Sequence, residues 1–373
     1  MDAPLRRTWA EVDLGAVRHN FRLVRNRLHT DCLCMAVVKA DAYGHGAVPV
    51  ARALLSEGAD WLGVSNITEA VELREHGITA PILILSYTPP AEARRLADYH
   101  LTQAVLDEPY AVKLEREAAA ADVTVSAHIK LDTGMSRVGF FCGQDSPVDA
   151  IARVCAFEHL SVNGIFTHFA VADEPDGEAY TRQQFALFMN TVDALRERGI
   201  TFALRHCCNS AATLRFPEMQ LDMVRAGIVL YGVSPIVQAD LRPTMALRTV
   251  ISQQKTVPAG TGVGYGLTAH TDRPTVLATL PIGYADGLIR LAAETHRVSV
   301  GGTTAPLVGR VCMDQCVIDV TDLPSVNTDT VVTVFGDDTV SVLDYAAACR
   351  TIPYESFCLV GKRVPRVYSD SLR

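Results

Sequence analysis

The stretch Leu33-Cys34-Met35-Ala36-Val37-Val38-Lys39-Ala40-Asp41-Ala42-Tyr43-Gly44-His45-Gly46 decides the fold. It opens as a short apolar run, reaches a charge, and ends in small, turn-forming residues. An apolar run of this length closed by glycines reads as a fully buried strand. Lys39 then stands where that strand runs out into a loop. A lysine there either snorkels into water or, partly desolvated, has its pKa lowered towards that of a nucleophile or base. Lysines of the second kind form Schiff bases with carbonyl compounds, pyridoxal phosphate among them.

Outward from this stretch, apolar runs alternate with amphipathic ones. Strand-like runs fall at 33–38, 61–65, 82–86, 102–106, 123–131, 161–168, 202–207 and 223–229. Helix-like runs fill the gaps at 47–57, 67–76, 91–99, 108–120, 147–157, 178–198 and 209–215. Ahead of them, Leu14, Val17, Phe21 and Val24 share one helical face, with Asp13 placed to cap it. Eight strand–helix alternations in about 230 residues suit a (β/α)8 TIM barrel, an α/β fold of ~250 residues. A doubly wound sheet is the alternative from pattern alone, but no glycine-rich dinucleotide fingerprint follows the first strand. Lys39, Lys130, Asp132, His168, Asn209 and Arg225 fall at or just past expected strand ends, the face where barrel enzymes carry their chemistry.

Near Leu241 the character changes. Val/Thr-rich runs punctuated by glycine and proline follow at 247–257, 274–281, 297–300, 305–311, 315–320 and 330–335, with one helix about 341–350. This predicts a β-rich C-terminal domain. The segment 6–13 alternates like a strand and is expected to pair with that domain. The expected division is a barrel over 14–240 and a β-rich domain over 241–373 together with 1–13.

The 373 residues exceed what one core usually serves, which also favours two domains. A net charge of −8 and the lack of basic runs interleaved with aromatics exclude a nucleic-acid surface. No secretory signal follows Met1, and no apolar stretch approaches the ~20 residues of a membrane helix, so a cytoplasmic protein is expected. The ten cysteines include no C-x-x-C pair, so reduced thiols and no metal site are expected.

AVVKADAYGHG resembles the cofactor-lysine motif of the alanine racemases. The likeness continues, in family order, through HIKLDTGMSRVGF (128–140), GIFTHFAVAD (164–173), HCCNSAATL (206–214), VRAGIVLYG (224–232), GVGYG (262–266), PIGYADG (281–287), GRVCMDQ (309–315) and IPYE (352–355). It implies a pyridoxal 5'-phosphate enzyme of fold type III that interconverts L- and D-alanine through an external aldimine and two-base proton transfer. In bacteria that activity supplies D-alanine for peptidoglycan. The resemblance makes Lys39 the cofactor anchor and the base for D-alanine. Tyr265 becomes the base for L-alanine, delivered by the other subunit of a homodimer. A free tyrosine, with a pKa of about 10, needs cationic or hydrogen-bonding help to serve as a base. His168 and Arg225 are placed to give it.

The resemblance sets Arg225 against the pyridine nitrogen, where a donor-only guanidinium keeps that nitrogen unprotonated and limits transamination. A salt bridge of Arg225 with Asp222 is the competing reading. His206 is expected to orient Arg225. Tyr43, Asn209, Ser210, Gly227, Ile228 and Tyr354 are expected on the cofactor, mostly at its phosphate. Arg137 faces the cofactor phenolic oxygen and the substrate carboxylate. Lys130 is the position that carries a carbamate (N6-carboxylysine) in many family members. Met313 binds the substrate carboxylate through its backbone amide, and Tyr284 lies at the pocket mouth. Asp173, Arg290, Arg310 and Ile352 resemble the residues that line the family's substrate corridor. The rival readings are a racemase for serine or a broader set of amino acids, and a non-catalytic pyridoxal-phosphate-binding protein. Tyr354 narrows the pocket against serine, and a second domain carrying Tyr265 and Met313 argues against the non-catalytic reading.

Overall fold

The computed structural model describes residues 7–143, 145–234, 236–323 and 326–370. The chain forms two compact units. One comprises Val17–Ala42 and Ala47–Leu241; the other comprises the described residues up to Ala16, Tyr43–Gly46, and those from Arg242 onward.

The first unit is an eight-stranded parallel barrel. Its strands, in chain order, are Leu33–Val37, Trp61–Val64, Ile82–Ile84, Thr102–Val105, Val125–Asp132, Leu160–Phe166, Leu204–His206 and Met223–Ala226. The first seven pair in parallel, each with the next, and the eighth pairs back onto the first with Met223 beside Leu33. Between the seventh and eighth, Asp222 N donates to Arg205 O (3.2 Å) and Arg225 N to Cys208 O (3.0 Å). Helices intervene as the alternation predicts, the longest being Glu178–Glu197. Asp13 accepts from Ala16 N (3.0 Å) and caps helix Leu14–Arg25, as expected of that residue.

Met35, Leu83, Ala104, Phe166 and Met223, from the first, third, fourth, sixth and eighth strands, form one buried cluster. A barrel interior is thus a packed floor, not a pore. Side chains two residues apart on a strand share a face. Two residues beyond Met223 comes Arg225, two beyond Phe166 comes His168, and two beyond the flanking Leu204 comes His206. The sequence spacing therefore lays a polar tier directly on the apolar floor, towards the carboxyl ends of the strands.

The second unit is β-rich. Its six-stranded sheet runs Thr303–Pro306, Arg297–Val300, Val331–Phe335, Met245–Val250, Thr8–Asp13, Arg366–Ser369. The N-terminal strand pairs with this unit, as expected, lying antiparallel to Met245–Val250 and, on its other edge, parallel to Arg366–Ser369. A three-stranded sheet of Gln253–Val257, Thr275–Leu280 and Cys316–Asp319 accompanies it. The run 247–257 is thus two strands rather than one. Met245–Val250 is almost wholly buried, whereas Gln253–Val257 has one face in water, so the chain changes sheet at Ile251–Ser252. Helix Val342–Ala348 is where periodicity places it, held by a Ser341/Asp344 capping box. Among the described residues, no helix is long and apolar enough to cross a membrane.

Candidate active site

Lys39 lies two residues past the first barrel strand and begins a turn that the sequence does not announce. Ala40, Asp41, Ala42 and Tyr43 all have φ of 53–54°. Four successive non-glycine residues in the left-handed region cost roughly 1–2 kcal/mol each relative to right-handed helix. The turn is held by Ala42 N donating to Val38 O (2.9 Å), Ala40 N to a Glu69 carboxylate oxygen (2.8 Å) and Ala47 N to Asp41 (2.6 Å). Strain of this kind persists only where neighbours over-determine it, and it gathers at functional sites.

Arg225 is the centre of the polar tier. It is buried, and its Nη2 donates to Thr167 O (2.7 Å) and Cys207 O (3.0 Å) and lies 3.2 Å from His168 Nδ1. Its Nη1 is 2.9 Å from His206 Nδ1. A guanidinium only donates, so both imidazoles present a bare Nδ1 and carry their proton on Nε2. Asp222, the alternative partner, is bonded to Arg205 instead, at 2.7 and 3.0 Å. Burial lowers the Arg225 pKa to about 10, with the Cys207 and Cys208 thiols opposing it. Burial also takes His168 and His206 well below the ordinary histidine value, and Arg225 reinforces the shift in both. The positive charges of Lys130, Arg137 and Lys39 act on His168 as well, which shows how these groups converge.

Lys130 is 4% exposed, and its Nζ donates to Leu131 O (2.5 Å) and Val138 O (3.2 Å). Its ammonium lies 5.6 Å from the centre of the Phe166 ring, and the Arg225 guanidinium is 5.4 Å from the same ring. Burial first, then the charges of Arg225 and Arg137, lower the Lys130 pKa to about 7, against an opposing pull from Asp132. Asp132 shapes the next loop. One carboxylate oxygen accepts from the amides of Gly134, Met135 and Ser136, and the other from Arg137 N, all at 3.0 Å. Burial pushes its pKa up, but these amides and Lys130 outweigh burial and leave it lowered. Arg137 is exposed, and among the described residues its guanidinium has no ion-pair partner.

Beyond the seventh strand, Asn209 caps helix Ser210–Arg215 by accepting from Ala212 N (3.0 Å). Ser210 Oγ accepts from Gly227 N (2.8 Å) and, weakly, from Val229 N (3.5 Å), which ties the two loops together beside Ile228.

The remaining expected residues belong to the β-rich unit. Tyr265 is 73% exposed, at the tip of the hairpin Gly262–Val263/Ala269–His270. Gly264 and Gly266 flank it with φ of 73° and 75°, and a Cβ on Gly266 would meet the Arg310 guanidinium at 2.9 Å. Tyr284, Met313 and Ile352 are also exposed. Tyr284 N donates to Cys312 O and Ala285 N to Met313 O, both 3.0 Å. A Cβ on Gly283 would meet Met313 O at 2.3 Å, so the glycine permits this approach. Asp286, fully buried, accepts from Arg7 (3.1 Å), Arg363 (2.8 Å) and Gly283 N (2.9 Å), and Arg363 also holds Asp314 (2.6 Å). Tyr43 and Tyr354 have ring centres 6.1 Å apart. The hairpin and the loop at Cys312 line one groove of about 700 Å³.

Two tandem family models match the chain. The alanine racemase N-terminal domain matches residues 12–235 and the C-terminal domain matches 244–368. The chain belongs to the alanine racemase family. It is 45% identical to the alanine racemase of Desulfovibrio desulfuricans over 98% of this chain and 99% of that one. It resembles the solved alanine racemase of Clostridium difficile 630 with a TM-score of 0.94, at 37% identity over 98% of this chain and 97% of that one. The alanine racemase of Bacillus anthracis, solved with bound L-Ala-P, gives 0.92 at 36% identity, with 98% and 96% covered. The (β/α)8 barrel followed by a β-rich domain is thus the architecture of pyridoxal-phosphate-dependent racemases.

The donor set fits that cofactor. Arg225 is a buried cation whose recorded partners are carbonyls and neutral imidazoles, with no carboxylate among the described residues. A buried charge left this way calls for an acceptor of opposite polarity. Three neighbours are not among the residues expected from the sequence: Phe166 beneath both cations, Thr167, and His128 behind His206. The period of two leading back from Lys130 to His128 was the available signal.

Proposed function

We propose that the protein interconverts L- and D-alanine in the cytoplasm as a homodimer with shared active sites, supplying D-alanine for peptidoglycan. The observation that carries this reading is Arg225, a buried donor-only cation that cannot protonate the group it faces. Pyridoxal 5'-phosphate, when bound, supplies the electron sink that lets an α-proton leave the amino acid. The barrel, 14–240, would hold it. The β-rich domain, 241–373 with 1–13, would complete the site of the other subunit.

Lys39 anchors the cofactor, and its amine takes or returns the proton at the α-carbon of D-alanine. Tyr265 of the partner subunit does the same for L-alanine. His168, with Nδ1 committed to Arg225, offers its Nε2–H as a donor that favours the phenolate form of that tyrosine. Arg225, a guanidinium that only donates, would hold the pyridine nitrogen of the bound cofactor without its own proton, which disfavours transamination. Ser210, Gly227, Ile228, Tyr43 and Tyr354 would hold its phosphate, and Asn209 sets the loop that presents Ser210. Arg137 and the amide of the partner subunit's Met313 would bind the substrate carboxylate, while Tyr284 and Tyr354 would narrow the pocket to a methyl side chain. Lys130 carries a carbamate: its amine, neutral at mildly alkaline pH, adds to CO2 and releases one proton. The anion then turns Arg137 towards the substrate.

The deciding experiment follows α-proton exchange in D2O for native protein and Tyr265→Phe, starting from each enantiomer. The native protein exchanges both. The variant loses exchange from L-alanine by roughly 10²–10⁴-fold while retaining more of it from D-alanine. Equal losses from both enantiomers would sink the two-base assignment, and turnover of L-serine matching that of L-alanine would sink the substrate assignment.

A further inference from the structure

Behind Arg225 lies a second imidazole that no part of the proposed chemistry uses. His128 is fully buried on the fifth barrel strand, two residues before Lys130. Its Nδ1 is 3.0 Å from His206 Nε2. His206 stacks on Phe166, ring centres 4.8 Å apart and planes 3° from parallel, so its plane is set by packing. His128 packs against Trp61 at 5.4 Å, and a Cβ on Gly164 would meet its ring at 2.5 Å, so its own position is fixed too.

The hydrogen bonds can be followed in one direction only. Arg225 donates to His206 Nδ1. Neutral His206 must then carry its proton on Nε2, and that proton needs an acceptor in a dry interior. His128 Nδ1 is the acceptor, which leaves the His128 proton on Nε2, a buried nitrogen with no hydrogen-bond partner among the described residues. We infer that His128 is a positioning residue: it locks His206 in the one tautomer that can accept from Arg225, and so fixes the guanidinium that faces the cofactor. The inference rests on the racemase reading for its consequence but not for its geometry. Both rings stay neutral. Burial lowers His128 to about 4, with Arg225 adding to the shift and Asn163 opposing it.

Side-chain shape gives a sharp test. The Asn carbonyl oxygen can stand where His Nδ1 stands, whereas the Gln amide reaches one carbon further, level with Nε2. Leu offers no acceptor at all. The readouts are the 15N signals of His206 in the holoenzyme and the number of transamination events per racemisation. Native protein and His128→Asn should show His206 protonated on Nε2 alone. His128→Leu and His128→Gln should show the proton shared with Nδ1, with transamination per turnover raised roughly tenfold. A purely structural role for His128 would make the Asn variant as defective as the Leu variant, and that result overturns the inference. If the Leu variant does not fold, the Asn and Gln pair decides. A native His206 carrying its proton on Nδ1, or on both nitrogens, also overturns it. Loss of racemisation in the native protein with the His206 tautomer intact would refute the racemase reading alone.

Discussion

Lys130 shows how burial turns an ordinary side chain into a reactive one. With its pKa lowered to about 7 by burial, its amine is largely neutral in mildly alkaline buffer. An unfolded lysine keeps its proton to about 10.4. Between these values the unfolded chain binds the extra proton, so stability rises with pH across that window and is lowest below pH 7. Lys130→Met removes the buried charge. In bicarbonate-free buffer without cofactor, the variant should therefore melt above the native protein below pH 7, and the gap should close as pH rises towards 10. A gap independent of pH would mean that Lys130 is not buried as an amine. With bicarbonate, the native protein should gain the mass of one CO2 and the variant should not.

At the scale of elements, the two loops that carry chemistry are held by different devices. The loop after the fifth strand hangs on one carboxylate, since Asp132 accepts four backbone amides and thereby sets where Arg137 begins. Asp132→Ala leaves those donors unmatched. It should lower stability in urea by about 2–4 kcal/mol and raise the KM for alanine more than it lowers kcat. The turn after Lys39 is instead held in left-handed backbone that glycine would adopt freely. Ala40 is exposed in that turn with φ of 54°, so its methyl contributes strain and little packing. Ala40→Gly should stabilise the protein by about 0.5–1 kcal/mol, the relieved strain being partly offset by a more flexible unfolded chain. A loss of stability there would show that the left-handed turn is not populated in solution.

For the whole molecule the question is which chain supplies Tyr265. The β-rich unit exposes Tyr265, Leu267, Tyr284, Met313 and Ile352, large apolar groups that a lone subunit would leave in water. Such exposure marks an interaction surface. If active sites are shared, co-expressing Lys39→Ala with Tyr265→Phe yields mixed dimers with one intact site and one doubly altered site. Racemase activity should return in the mixed dimer, although each variant alone is nearly inactive. No recovery in a purified mixed dimer would place both bases on one chain. Sedimentation equilibrium would give the assembly itself.

Local pattern by itself determined most of the barrel. Each strand is an apolar run short enough to read from its neighbours, and each helix has one apolar stripe, so strand and helix positions follow from nearest-neighbour chemistry. The same period of two carried Lys130, His168 and Arg225 to the strand ends. What the sequence could not set out is whatever depends on contacts between distant segments. That Asp222 pairs with Arg205, leaving Arg225 without a carboxylate partner among the described residues, was decided by tertiary packing. So was the tautomer of His206, fixed by a histidine 78 positions away. Ala40–Tyr43 carry no glycine to announce a left-handed turn; Asp41, Glu69 and Val38 impose it from outside the local preference. The strand Arg366–Ser369 exists because Thr8–Asp13 offers it an edge, and an edge belongs to the sheet rather than to the segment that joins it.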